Sequence, residues 1–453
     1  MKKRSLIMAL GLAASMALTA CGSGESTEES TAAETEAAEV EDSEEEKEAE
    51  SKEAEEASEE GTADLTGVEL SMMVPDWGNP GEELLKRFEE ETGCKVNVTE
   101  VSWDDIRDKV SIAAVGGQAA ADVFEVDWSW VGEMNSAGWL EPIEMTAEDI
   151  ADEPTIETFT IDGKILALPY ANDYRIAYYN TEHFEKAGIT EAPETWADVE
   201  AAMKAIKDAG ICEYPFSMPM GAEEAGTTSL TWLAWAKNGV VFNDDGTLNK
   251  DSVLDALTFE NNMVTSGYVD PAMRTATGMD CYNKICSGET SFMVGPTKFV
   301  NFISDPEKTA EDVLGKIEPI LLPGTEGVSD RTMPLPEAYG VSAYSENKEA
   351  AVTFVKWLNS AEIEKELYLA NGSIPNRNSV IADMIADGTI KTPGAMLEQA
   401  ELIKSPFPNG VPDFYAEMSN TMYNNVNSMV LGDKTPEEAF EAMDSKVKEL
   451  LAQ

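Results

Sequence analysis

The sequence predicts an α/β fold with helices covering a parallel sheet. Three observations carry the prediction: strand and helix patterns alternate from residue 69 to 126, two strand-like stretches flank a polar insert between 162 and 180, and well-capped helical patterns follow. Residues 69–74 read as a first strand, and the Pro75-Asp76-Trp77-Gly78-Asn79-Pro80 stretch reads as the loop after it. Leu84, Leu85 and Phe88 then share one helical face, closed by Gly93 at a left-handed cap position. Val96 and Val98 alternate in a second strand, a helix spans about 103–115 before Gly116-Gly117, and residues 122–126 form a third strand. In such sheets a ligand sits beyond the strands' carboxyl ends, so the loops after Val74 and Val126 are the ones to watch. Further on, Thr195 caps a helix over about 196–209, and a helical stretch over 228–238 carries Trp232 and Trp235. Thr435-Pro436-Glu437-Glu438 is a capping box that opens a last helix with Phe440, Met443, Val447, Leu450 and Leu451 on its apolar face.

The chain begins with Lys2, Lys3 and Arg4, then an apolar run over 6–18 that is shorter than the roughly 20 residues a bilayer requires. Followed by Leu18-Thr19-Ala20-Cys21, it predicts a signal peptide over 1–20 and lipidation of Cys21. Two acyl chains on one residue give stable anchoring. Residues 22–66 hold 19 Asp and Glu against two Lys and cannot bury apolar surface, so 21–66 reads as the lipidated Cys plus an extended acidic tether. Setting aside the three positive charges of the start and the net −17 of the tether, residues 67–453 keep −40 of the total −54. A body that acidic repels nucleic acid and disfavours an anionic ligand. Cys94, Cys212, Cys281 and Cys286 allow one disulfide or free thiols, and spacing does not choose. One histidine and no close Cys pairs argue against a metal, and no phosphate-cradling loop or other cofactor motif stands out.

Within the body, DGK-x-x-x-LPY from Asp162 leads to Tyr178-Tyr179-Asn180, then to His183-Phe184-Glu185-Lys186-Ala187-Gly188 and Pro193-Glu194-Thr195-Trp196. Phe88-Glu89-x-x-Thr92-Gly93, Ser287-Gly288-Glu289 before Phe292-Met293-Val294-Gly295-Pro296, and Trp357-Leu358-Asn359-Ser360 before Gly372-Ser373-Ile374-Pro375-Asn376-Arg377 complete the series. In this order the segments resemble family 1 of the bacterial extracellular solute-binding proteins, the group that includes maltose-binding protein. The resemblance implies a two-lobe periplasmic-binding-protein-like fold of type II, with a hinge between the lobes and ligand in the interlobe cleft. Carried onto this sequence, lobe one comprises 67–173 and 291–342, and lobe two 174–290 and 343–453, with crossings near Asp173 and Ala343. It also implies a non-enzymatic, monomeric partner of an ABC permease, held at the outer face of the membrane. The expected cargo is a sugar or oligosaccharide. A polyamine or other cation is the alternative in the same fold, and a secreted glycoside hydrolase or a surface adhesion protein is the alternative from another class.

A sugar presents apolar ring faces and a rim of hydroxyls, so its site needs aromatic plates with polar groups at their edges. Lobe one offers Trp77 and Asn79 after its first strand, and Asp127 and Trp128 after its third. A loop tryptophan plugging the helix below, or an N-cap aspartate, is the bland reading of these positions. Asp173, Tyr174 and Arg175 sit where the chain crosses the cleft floor, an Asp-Arg pair steadying a hinge being the alternative. Trp232 and Trp235 lie three apart on one helical face; Trp232 is expected to face the cleft with Trp235 in the core, both being core residues the alternative. The resemblance adds Thr297 and Lys298 at a loop where the family commonly contacts ligand. Tyr339, ahead of the second crossing, and Arg377 complete the set. The many Asp and Glu residues supply paired carboxylates by chance alone, so such pairs are no sign of glycosidase chemistry.

Overall fold

The computed structural model describes residues 64–453, which lie in one compact unit, Thr62–Gln453. The expected signal peptide, Cys21 and nearly all of the tether lie outside the described residues. In chain order the strands are β1 (Glu69–Val74), β2 (Lys95–Glu100), β3 (Val123–Asp127), β4 (Thr160–Ile161), β5 (Lys164–Ile165), β6 (Ala167–Ala171), β7 (Arg175–Asn180), β8 (Phe216–Ser217), β9 (Phe292–Pro296), β10 (Ile317–Ile320) and β11 (Glu337–Val341). They form two main sheets, ordered β2-β1-β3-β11-β6 and β10-β7-β9-β8, one in each lobe. β1 runs parallel to β2 and β3, as the strand-helix alternation requires, whereas β11 is antiparallel to both β3 and β6. β4 and β5 form a small hairpin around Asp162 and Gly163, both at positive φ (51° and 74°). A two-residue turn of that kind matches the twist of its strands.

Helix boundaries follow local chemistry. Glu82–Thr92 stops at Gly93, whose φ of 76° suits a residue without a Cβ. Trp196–Asp208 opens with a reciprocal box in which the Thr195 hydroxyl accepts from the Asp198 N–H and the Asp198 carboxylate accepts from the Thr195 N–H. Pro436–Leu450 opens the same way on Thr435 and Glu438. One core joins the first sheet to the helices Glu82–Thr92, Lys348–Leu358 and Ala361–Asn371 through Phe88, Tyr339, Phe354 and Leu367. Another joins the second sheet to Asn378–Ala386 and Met396–Ala400 through Tyr178, Met293, Ile381 and Met384.

Two parts of the expected lobe division are therefore corrected. Residues 291–342 are not one piece of lobe one, because β9 and β10 pair with β7 in the second sheet and only β11 returns to the first. Nor does all of 343–453 belong to lobe two, since the helices over 348–371 pack on the first sheet. The strand β9 is buried throughout, so its apolar run signals a central strand without saying which sheet holds it.

The chain crosses between the sheets at 172–174, as expected, then at 321–336 rather than near Ala343, and again near 372–374. These crossings run side by side. Tyr174 bridges Pro334 in antiparallel fashion, the Arg175 N–H donates to the Met333 carbonyl (3.3 Å), and the Leu335 N–H donates to the Asp173 carbonyl (2.7 Å). On the other flank the Asn172 N–H donates to the Ile374 carbonyl at 3.1 Å. A ribbon of hydrogen-bonded crossing strands thus floors the space between the lobes.

Candidate functional site

Above that floor, beyond the carboxyl ends of β1 and β3, lies a cavity of about 630 Å3. Asp76, Trp77, Trp103, Asp127, Trp128 and Glu337 line it from the first lobe, Glu223, Glu224, Thr228 and Tyr282 from the second, and Asp173, Arg175 and Leu335 from the crossing strands. A smaller compartment of about 240 Å3 shares Trp77, Asp173, Leu335 and Glu337 with it and adds Asn172, Thr297, Lys298 and the 371–374 segment. Seven of the expected residues therefore meet in one place: Trp77, Asp127, Trp128, Asp173, Arg175, Thr297 and Lys298.

Trp77 sits on a short 3-10 turn, Asp76–Gly78, directly after β1, and is 46% exposed. Its indole N–H donates to Glu337 Oε2 (2.8 Å), fixing the ring's direction. The turn is held from below by the Tyr339 hydroxyl, which donates to the Gly78 carbonyl (2.8 Å) and belongs to a ring stacked on Tyr170 at 4.2 Å. A Cβ at Gly78 would lie 2.9 Å from the Tyr170 hydroxyl, so the turn approaches the sheet closely enough to require glycine. Trp128 reaches the cavity but is 4% exposed, packed against Phe407 (6.0 Å) and Tyr415 (5.0 Å) of the second lobe. It closes one end of the cleft rather than offering an open plate.

The carboxylates are held by neutral donors. Asp127 Oδ1 accepts from the Ser129 N–H (2.8 Å) and hydroxyl; burial raises its pKa to about 7, Ser129 opposing the rise and Glu224 and Asp173 adding to it. Glu224 accepts from the hydroxyls of Tyr415 (2.6 Å) and Ser419 (2.5 Å), and burial likewise lifts it to about 7. Glu337, cross-strand partner of Asp127, is pushed up to about 7 by burial and then by Asp127, with Lys298 opposing. Asp173 alone meets a cation directly, through Arg175 Nη1 at 2.8 Å, and it also accepts from the Thr297 N–H at 3.1 Å. Arg175 lies under the Tyr282 ring at 5.9 Å and leaves its Nε without a partner; the buried Asn172 amide has none for either atom.

Five expected residues lie elsewhere. Asn79 bonds Glu100 (2.9 Å) and accepts from the Gly81 N–H (3.0 Å), shaping the entry to helix Glu82–Thr92. Tyr174 is fully buried in the second-sheet core, its hydroxyl donating to the Met396 carbonyl (2.8 Å). Trp232 is 1% exposed and stacked on Trp196 at 6.0 Å, while Trp235 is the outer one, donating to the Lys404 carbonyl (3.0 Å) with the Arg331 guanidinium over its ring. The order expected for that pair is reversed, because helix Glu224–Asn238 is enclosed on nearly all sides and spacing alone does not pick a face. Tyr339 supports the Trp77 turn from within the core. Arg377 is locked into ion pairs with Asp149 (2.8 Å) and the wholly buried Glu153 (2.9 Å).

Sequence reasoning missed Glu223, Glu224, Trp103, Tyr282 and Glu337. For Glu337 a signal existed, since period-two alternation puts it on the same face as Tyr339, one step nearer the strand's open end. Glu224 and Tyr282 come from helix starts and faces far along the chain, and nothing local marks them.

A family model described as bacterial extracellular solute-binding protein matches residues 75–365. A putative binding protein of Brucella abortus is 26% identical over 381 residues, covering 82% of this chain and 89% of the relative. The diacetylchitobiose binding protein DasA of Streptomyces coelicolor is 23% identical over 424 residues, covering 84% of each. Among solved structures, the sugar-binding protein MalE of Xanthomonas citri superposes with a TM-score of 0.72 at 21% identity, covering 85% of this chain and 98% of that one. An ABC transporter solute-binding protein of Agrobacterium radiobacter in complex with ribitol gives 0.73 at 20% identity, covering 85% and 99%. Family match, two-sheet architecture and interlobe cavity agree: the chain belongs to the bacterial extracellular solute-binding proteins.

Proposed function

We propose that this protein is the lipid-anchored, non-enzymatic solute receptor of an ABC importer, and that it captures a sugar or short oligosaccharide in the interlobe cleft. The observation that carries the reading is the half-exposed Trp77 ring, oriented by Glu337 at the mouth of a cavity rimmed with carboxylates, Arg175 and Lys298. An indole face takes the apolar side of a pyranose, and the rim groups take its hydroxyls. The paired crossing strands supply the hinge on which the lobes close. The sugar and polyol ligands of the structural neighbours support the same class. Anchoring through Cys21 keeps the receptor beside its permease, and the acidic tether gives it reach.

The test is a thermal-shift screen of the mature chain against mono- and oligosaccharides, polyols, polyamines and amino acids. A saccharide at 100 times its dissociation constant adds about 2.7 kcal/mol to stability. A shift with no saccharide, or turnover of an oligosaccharide during the assay, refutes the reading. Replacing Cys21 with Ser releases the protein into the medium if the anchor is as proposed.

A further inference from the structure

The larger compartment is lined by six carboxylates, those of Asp76, Asp127, Asp173, Glu223, Glu224 and Glu337, against one cation, Arg175, which is already paired with Asp173. Four of the others are held by neutral donors: Ser129 on Asp127, Tyr415 and Ser419 on Glu224, Trp77 and Tyr170 on Glu337, and the Gly278 N–H on Glu223. Such donors orient a carboxylate without cancelling its charge. Asp127 and Glu337 stand opposite one another on adjacent strands of the first lobe, and Glu224 approaches them from the start of a second-lobe helix. Lobe closure therefore gathers like charges around one space. Trp77, Trp103 and Tyr282 line that same space. Carboxylates with aromatic faces are the chemistry that receives an ammonium group.

We propose that the occupant of this cleft carries a protonated amine, received between Asp127, Glu224 and Glu337, so that an aminated solute is preferred to its neutral hydroxyl counterpart. The inference rests on the cleft being the solute site, and deepens that reading by naming the charge of the cargo. Lys298 borders the smaller compartment and keeps that end less acidic, so the amine belongs in the larger one. Burial first, and neighbouring carboxylates after it, raise the affinity of these carboxyls for protons, and an ammonium received among them favours their charged form.

The experiment is titration calorimetry of the mature chain at pH 7.5 with four probes: the β-1,4-linked glucosamine disaccharide, its N-acetylated form, cellobiose and spermidine. Each is run at low and high salt. The expected result is that an amine-bearing probe binds about tenfold or more tightly than cellobiose and weakens with salt. Glu224→Gln and Glu337→Gln each reduce both the preference and its salt dependence, and circular dichroism checks their folding. Tighter binding of cellobiose or of the N-acetylated sugar overturns the amine while leaving the carbohydrate reading standing. Binding of spermidine alone keeps the amine and overturns the carbohydrate. Heat from none of the four overturns the proposal.

Discussion

Replacing Trp232 with alanine separates a core tryptophan from a cleft tryptophan. The ring is 1% exposed, stacked on Trp196 at 6.0 Å and enclosed by the helices Lys250–Thr265 and Tyr415–Val430. Truncation of a buried tryptophan costs about 3–5 kcal/mol, the area term and the cavity left behind acting together. Roughly 390 residues at about 2.1 cal/mol/K each give an unfolding entropy near 0.8 kcal/mol/K, so Tm should fall by about 4–6 °C. Trp232→Phe keeps most of the ring and deletes an indole N–H that has no partner, so it should recover more than half of that loss. The assay is thermal unfolding by circular dichroism, paired with titration of whichever solute gives the largest shift in the screen. A Tm within a degree of the parent combined with abolished binding would refute the reasoning and return Trp232 to the cleft.

Trp77→Ala should do the reverse: if a ligand covers roughly 60 Å2 of the exposed ring at about 25 cal/mol/Å2, affinity drops by ~1.5 kcal/mol, on the order of tenfold, as calorimetry will read. Glu260 is fully buried on helix Lys250–Thr265 with neither oxygen partnered, and burial holds its pKa well above the ordinary range. Its folded form keeps the proton while the unfolded chain gives it up, so stability is present below the unfolded pKa and is lost as pH rises. Glu260→Leu should therefore raise Tm at pH 8 by the equivalent of about 1–3 kcal/mol, and by less at pH 5. Arg377→Met leaves the wholly buried Glu153 without its cation and should cost about 3–5 kcal/mol in a denaturant titration. The four body thiols are free and buried, and burial pushes Cys281 up to about 12. Iodoacetamide followed by peptide mass spectrometry should find Cys94, Cys212, Cys281 and Cys286 unmodified until the chain unfolds.

Much of the first lobe was legible because its order is local. β1, β2 and β3 alternate with helices within sixty residues, and Gly93, like Thr195 in the second lobe, marks a helix end by chemistry that acts over three or four positions. The loop after β1 and the end of β3 delivered Trp77 and Asp127 to the cleft because open parallel sheets present their carboxyl ends there. What local patterns do not encode is which sheet a buried strand joins. β9 reads as a central strand in either lobe, and only its pairing with β7 decides the matter. The same holds for the aromatic residues: Tyr174, Trp232 and Tyr339 have the right chemistry for a sugar plate, yet each is consumed by packing that the long-range fold determines. Glu224 was invisible for the converse reason, being an ordinary first-turn glutamate until a distant helix supplies Tyr415 and Ser419.

The place of β11 has a consequence for the order in which the molecule is assembled. It lies between β3 and β6, so until residue 341 has been synthesised those two strands have no partner on their facing edges and the first sheet stands open in the middle. The helices that cover the sheet, Lys348–Leu358 and Ala361–Asn371, arrive later still. Pairings at such sequence separation are slow to form, because the loop must close before any contact rewards it. The first lobe therefore stays unfinished until nearly the whole chain has been made, so neither a nascent fragment nor a chain cut short before residue 341 contains a complete first sheet.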